Sequence, residues 1–270
     1  MAIATLDAAL AGAVAPAWFA KAITPTMVAG RPQSLWGLGG NPGAGSFDTT
    51  LNGVTLSSTS AQVAGQLPFT DPVSGNTYLA RLQGAATIAG TLLLCDRQWH
   101  NGGFTITSTT AQTITSPTLP ARDKAGTTNG DGVILGLEIS AAAGAAAPTI
   151  TVAYTNSAGT SGRSATNSFA TANSPTAGAF FPIGLQAGDT GVRSVQSLTL
   201  SASWVSGTMN LVAYRVLAAL ELPNANTSNA IDALTSGFPR FFNGTVPFLV
   251  FIPSTTTASN ISGSLVVTQG

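Results

Sequence analysis

From about residue 50 onward the sequence runs as short stretches of Val, Ile, Leu and Thr separated by Gly, Pro, Asn and Asp, the texture of strands joined by turns. Thr105-Ile106-Thr107, continued by Ser108-Thr109-Thr110-Ala111-Gln112-Thr113-Ile114, alternates polar with apolar, as a sheet with one wet face requires. Val133-Ile134-Leu135-Gly136-Leu137-Glu138-Ile139 and Thr149-Ile150-Thr151-Val152-Ala153-Tyr154 read as further strands. Between them lies the tract Ala141 to Pro148, where Gly144 and Pro148 oppose the helix that alanine alone would favour. Asp71-Pro72-Val73-Ser74-Gly75-Asn76 predicts a turn with strands on both sides, because Pro72 presets φ and Gly75 or Asn76 takes positive φ.

The first fifty residues have a different period. Ile3, Leu6, Leu10, Val14 and Phe19 fall on one helical stripe within residues 3–22, with Pro16 as its limit, so a short helix ending near Ala15 is expected, followed by an extended arm. Gly37-Leu38-Gly39-Gly40-Asn41-Pro42-Gly43-Ala44-Gly45 has too much Gly and Pro for regular structure and extends that arm. Three related tetrads, Ile88-Ala89-Gly90-Thr91, Val205-Ser206-Gly207-Thr208 and Ile261-Ser262-Gly263-Ser264, each precede an apolar run and read as hairpin turns. The expected fold is all-β and mainly antiparallel, a β-sandwich or jelly roll, with residues 1–50 as helix and arm and 51–270 as the β-rich body. That body is open to division into two sandwich-like subdomains, about 51–140 and 141–270.

Composition narrows the function. Charged residues make up 7% of the 270 positions, against roughly a quarter in ordinary globular domains, and 37 Thr and 25 Ser occupy the space. Ten Lys and Arg balance ten Asp and Glu, so no net field exists to attract a nucleic-acid backbone or an anionic membrane, and neither is expected as a direct partner. Like-charge repulsion protects such a surface poorly, and small hydroxyl residues suit permanent contact between subunits. The N-terminus shows no basic residue before Lys21, so synthesis in a cytoplasm without secretion is expected.

Candidate chemistry is sparse. The single cysteine and single histidine sit close together in Cys95-Asp96-Arg97-Gln98-Trp99-His100-Asn101-Gly102-Gly103. A thiolate and imidazole pair would need a sharply curled chain there, since residues five apart on a strand point to opposite faces, about 16 Å apart. Asp48, Asp71, Asp123, Asp131 and Asp189 lie among turn residues, and the loop Ala121 to Gly132 carries four of the few charges. Asn129-Gly130-Asp131-Gly132 is too short for a calcium loop, and the glycine-rich stretch after Gly37 lacks the Lys and hydroxyl ending of a phosphate loop. Phe238-Pro239-Arg240-Phe241-Phe242 reads as a hydrophobic contact, in the core or at an interface. Trp18, Trp36, Trp99 and Trp204 are either core residues or sugar-stacking platforms. No catalytic, cofactor-binding or metal-ligating residue is assigned, no cofactor is implied, and an enzyme is not expected.

Several phrases resemble virion structural proteins of tailed bacteriophages. They are Leu79-Ala80-Arg81-Leu82 through Leu92 to Gly103, Ser116-Pro117-Thr118-Leu119-Pro120-Ala121-Arg122-Asp123, Ala187-Gly188-Asp189-Thr190-Gly191-Val192-Arg193 onward, and Leu211-Val212-Ala213-Tyr214-Arg215. They span about half the chain. The resemblance implies a capsid decoration, or cement, protein that assembles as a homo-oligomer, a trimer, on the major capsid protein or other virion subunits. A tail-tube, adaptor or major shell protein of the same virion, or a receptor-binding or glycan-binding spike module, is the alternative.

Overall fold

The computed structural model describes all residues except 1, 2, 4, 61, 62, 170–173 and 238. In chain order the first elements are helix α1 (Leu6–Ala11) and strands β1 (Ala17–Ile23), β2 (Gln33–Ser34), β3 (Gly40–Asn41), β4 (Val54–Thr55) and β5 (Thr77–Ala86). Next come β6 (Gly90–Asn101), β7 (Gln112–Thr113), β8 (Ile134–Ala141), β9 (Thr149–Asn156), β10 (Arg163–Ser168) and β11 (Phe180–Ile183). The last are β12 (Val192–Leu200), β13 (Thr208–Leu222), β14 (Asn229–Asp232), helix α2 (Ala233–Ser236), β15 (Arg240–Phe241), β16 (Pro247–Pro253) and β17 (Ser259–Gln269). Every strand pairing described is antiparallel, and the fold is all-β.

Two compact units divide the chain: residues 1–46, 57–96 and 216–270 form one, residues 47–56 and 97–215 the other. They are interleaved in sequence, not successive about a boundary near residue 140. The reason is long-range pairing, since β1 takes β17 as its neighbour, with Ala17 opposite Leu265 and Ile23 opposite Ser259. Strands β6 and β13 each contribute residues to both units.

Unit 1 is a sandwich. One sheet runs β14-β5-β17-β1-β3 with β15 also on β5, and β16 pairs with β2 and with residues 90–96 of β6. Phe19, Leu79, Leu82 and Leu265 of the first sheet share one core with Leu92, Leu94, Leu249 and Phe251 of the second. Leu79 and Leu82 are three apart, and strict alternation would aim them at opposite faces. A register shift, where Val266 and Val267 face Arg81 and Leu79, turns both inward.

Unit 2 has the same plan. Its first sheet runs β10-β9-β12-β7, and β8 pairs with β11 on one side and with residues 208–214 of β13 on the other. Ile150, Val152 and Tyr154 of β9 point inward as the alternation predicts, and meet Leu135, Leu137 and Ile139 of β8 with Trp99 and Trp204.

Several local expectations need correction. The helix stops at Ala11, because Gly12 passes so close to β17 that a Cβ there would lie 2.1 Å from the Gln269 carbonyl oxygen, and Ala13 already bridges Thr268. The arm folds back on its own unit, since residues 17–23 are β1 and Gly40-Asn41 pair with Lys21 and Ala20. Residues 105–111 are not strand: Gln112 closes them into a loop by accepting from the Thr105 N–H (2.7 Å) and donating to its carbonyl (3.2 Å). Only β5 flanks the turn at Asp71–Asn76 directly. Of the three tetrads, the third lies inside β17, where Gly263 permits close approach: a Cβ there would meet the Gln83 carbonyl at 2.0 Å and the Phe19 ring at 2.5 Å. Phe238 lies outside the described residues; Phe241 packs in the unit 1 core and Arg240 covers the Phe242 ring.

Candidate functional site

Strand β6 ends in a run of buried polar residues. Arg97, Gln98, His100 and Asn101 are all fully covered within a segment that apolar side chains would ordinarily fill. Such groups persist only if they find partners, and each of these four side chains makes at least one hydrogen bond or ion pair. The Arg97 guanidinium approaches Glu138 of β8, with Nη2 2.6 Å from Oε2 and both side chains at zero exposure. It also reaches back to the ring of His100, with Nε at 3.2 Å and Nη2 at 2.8 Å from Nδ1. A guanidinium has no acceptor, so Nδ1 accepts and the imidazole is the Nε2–H tautomer.

Burial, opposed by the adjacent Glu138, lowers the Arg97 pKa, yet arginine starts so high that it stays charged. Burial first, and the Arg97 charge second, push the His100 pKa down to about 2. A neutral histidine in the folded state and an ordinary one in the unfolded state mean that the unfolded chain binds the extra proton below about pH 6.5. The His100 contribution to stability is therefore intact above that pH and declines as pH falls toward 2, by roughly 1.4 kcal/mol per pH unit. Because the chain has one histidine, its ring-proton NMR signal is unambiguous. That signal stays flat from pH 8 to pH 4 in the folded protein; a midpoint near 6.5 without unfolding would contradict the burial.

The remaining groups hold an irregular segment in place. Residues 47–56 form only one short strand, β4, paired with Trp99 and His100, and their free carbonyls need donors. Asn210 Nδ2 donates to the Asp48 carbonyl (2.9 Å), Asn101 Nδ2 to Leu51 (2.6 Å), Trp99 Nε1 to Asn52 (3.1 Å) and Arg122 Nη1 to Leu56 (2.9 Å). Arg122 also donates to the Arg97 carbonyl (3.2 Å), and Gln98 Nε2 to the Arg122 carbonyl (2.8 Å). This is a clasp made of side chains.

The residues singled out for chemistry go to structural positions. Cys95 is buried, and burial with the neighbouring Asp96 raises its pKa, so it is a thiol and not a thiolate. It shares the uninterrupted strand β6 with His100, the geometry that separates such a pair. Asp123 organises its loop: Oδ1 accepts from the Ala125 and Thr127 N–H groups (2.9 and 2.7 Å), Oδ2 from the Thr127 hydroxyl (2.6 Å) and the Gly130 N–H (3.1 Å). Burial opposes its ionisation, but these bonds outweigh burial and lower its pKa. Asp189 takes a bidentate Arg163 (2.9 and 3.0 Å), the Tyr154 hydroxyl and Asn156 Nδ2 (2.7 Å), and the Arg163 bonds above all keep its carboxyl well below the usual range. Asp48 accepts from Thr50, and Asp71 from the Gly244 N–H (2.8 Å). Among the described residues no three His, Cys, Asp or Glu side chains gather as metal ligands.

The glycine-rich stretch is the reverse of a phosphate cradle. The carbonyls of Leu38 and Gly43 accept from the buried Lys21 ammonium (2.8 and 3.0 Å), so the stretch embraces a cation. Burial lowers the Lys21 pKa to about 8. Of the tryptophans, Trp36, Trp99 and Trp204 are buried, whereas Trp18 is 57% exposed. Glu138 was missed from sequence; the available signal was a carboxylate inside the apolar run Val133–Ile139, matched by an arginine inside another strand.

No family model matches the chain, and no curated protein matches it. Among solved structures, VP2 of infectious bursal disease virus in its subviral particle shares 10% identity at a TM-score of 0.16, over 96% of this chain and 81% of that one. The T=1 particles derived from infectious bursal virus share 13% at 0.17, over 93% and 62%, and the Gx strain of that virus 12% at 0.17, over 93% and 64%. Likenesses this remote carry no argument about fold or function. No described helix is long and apolar enough to cross a membrane.

Proposed function

We propose that this chain is a structural subunit of a virion, a capsid decoration protein of a tailed bacteriophage that cements the shell as a homo-oligomer, without catalytic activity. One observation carries the reading. Of the twenty Lys, Arg, Asp and Glu side chains, six (Lys21, Asp96, Arg97, Arg122, Asp123 and Glu138) are buried, so only fourteen remain to charge the outside of a 270-residue chain. A surface left to Thr, Ser, Asn, Gln and small apolar groups opposes association weakly and matches the neutral contacts by which subunits pack permanently. The low charge thus has a use: many modest contacts spread over a shell, with little dependence on salt.

Electron microscopy of the parent particle, with this polypeptide located in the density, tests the proposal. A copy number matching sites on the head supports decoration; a ring of copies in the tail favours a tube or adaptor role. Sedimentation of the purified chain is the simpler check. An oligomer, a trimer on this reading, is the expected result, and a monomer at high concentration overturns it.

A further inference from the structure

On unit 1, the outward face of the sheet built from β1, β17 and β5 has one feature that packing does not explain. Trp18 leaves 57% of its surface in water, while its neighbour Phe19 is fully buried below. An exposed indole leaves a large apolar plane, with a polar N–H at its edge, free for a ligand to cover. Ser264 lies directly opposite Trp18, Gln83 lies opposite Ser264, and one pleat along Ser262 faces Ala85. These small side chains leave the indole standing above a groove of about 290 Å³, lined by Trp18, Gln83, Ser228, Ser262 and Ser264. A second groove of about 380 Å³, with Phe69 and Asn41, adjoins the same indole.

We propose that this face binds a neutral oligosaccharide, with Trp18 as the platform on which a sugar ring stacks. The spacing fits: outward side chains recur about 4.8 Å across strands and about 7 Å along them, the scale of one pyranose ring. Hydrogen-bonding capacity is waiting there. Gln83 Nε2 is held by the Ser228 hydroxyl (3.0 Å), which fixes the amide, while Gln83 Oε1 and the hydroxyls of Ser262 and Ser264 bond to no described residue. No charged side chain lines the groove itself, which favours an uncharged ligand over a phosphate, an acidic polymer or a nucleic-acid backbone. An aromatic plane beside neutral donors and acceptors complements the apolar face and hydroxyl rim of an uncharged sugar. The inference stands apart from the virion reading, which needs no ligand.

The test uses the intact chain with its tryptophans labelled with nitrogen-15, titrated with maltohexaose, cellohexaose, chitohexaose and yeast mannan. The indole N–H signal of Trp18 alone should shift and saturate with at least one of them. Trp18→Ala should weaken binding about fivefold or more, and Gln83→Ala should weaken it too, each with an unchanged circular dichroism spectrum. The absence of any Trp18 response to all four sugars, or undiminished binding by Trp18→Ala, overturns the proposal. So does a Trp18→Ala chain that turns from oligomer to monomer while the parent binds no sugar, which would make the face a contact between copies.

Discussion

Glu138→Ala lowers the stability of unit 2 by about 3–5 kcal/mol, because it strands the buried Arg97 charge without a counter-ion. The neutral imidazole of His100 cannot replace the carboxylate, since it offers one lone pair and no charge. Truncating Arg97 alone strands Glu138 in the same way. Replacing both, as Arg97→Met with Glu138→Leu, costs less, about 1–3 kcal/mol, because the two apolar side chains need no partners, although the His100 Nδ1 acceptor loses its donor. Urea unfolding followed by hydrogen exchange at β8 and β13 amides measures all three. Equal losses for the single and the double variants would show that the pair matters only as packing.

Gly130→Val has an effect of similar size through the backbone. Gly130 holds φ at +80°, and a Cβ there would lie 1.9 Å from the Val192 carbonyl oxygen, where the loop organised by Asp123 meets the start of β12. A β-branched residue resists positive φ, and the clash cannot be relieved by rotating a side chain, so a loss of about 3 kcal/mol or more follows. Gly162→Val is the control: its φ of +71° carries the same backbone penalty, yet a Cβ there meets nothing within 4 Å, so it costs about 1–2 kcal/mol. Melting temperatures of the two variants separate conformational cost from collision, and near-equal shifts would refute the close approach.

The sequence exposed the fold class, because alternation such as Thr149–Tyr154 and turn residues such as Asn129-Gly130 act locally. It hid what depends on distant partners. Nothing around Ala17–Ile23 announces a strand whose neighbour lies at Ser259–Leu265, so that segment read as a free arm. The loop at 105–111 misled because its alternation is real, with Ile106 and Ile114 buried, but Gln112 supplies from its side chain the bonds that a strand would supply from its backbone. At the polar cluster, Arg97 and His100 were visible as unusual residues. Glu138 was legible as a carboxylate inside the apolar run Val133–Ile139 but not as their partner, because a contact between β6 and β8 is a property of the folded chain alone. Trp18 could not be told from the other three tryptophans until burial distinguished them.

The pairing of β1 with β17 also sets a timetable for synthesis. Every residue of unit 2 has left the ribosome while β1 still lacks the strand that will lie beside it. At ordinary elongation rates that wait is on the order of tens of seconds. An unsatisfied, nearly uncharged strand is therefore presented to the crowded cell, to chaperones and to sister chains, before its own tail arrives to cover it.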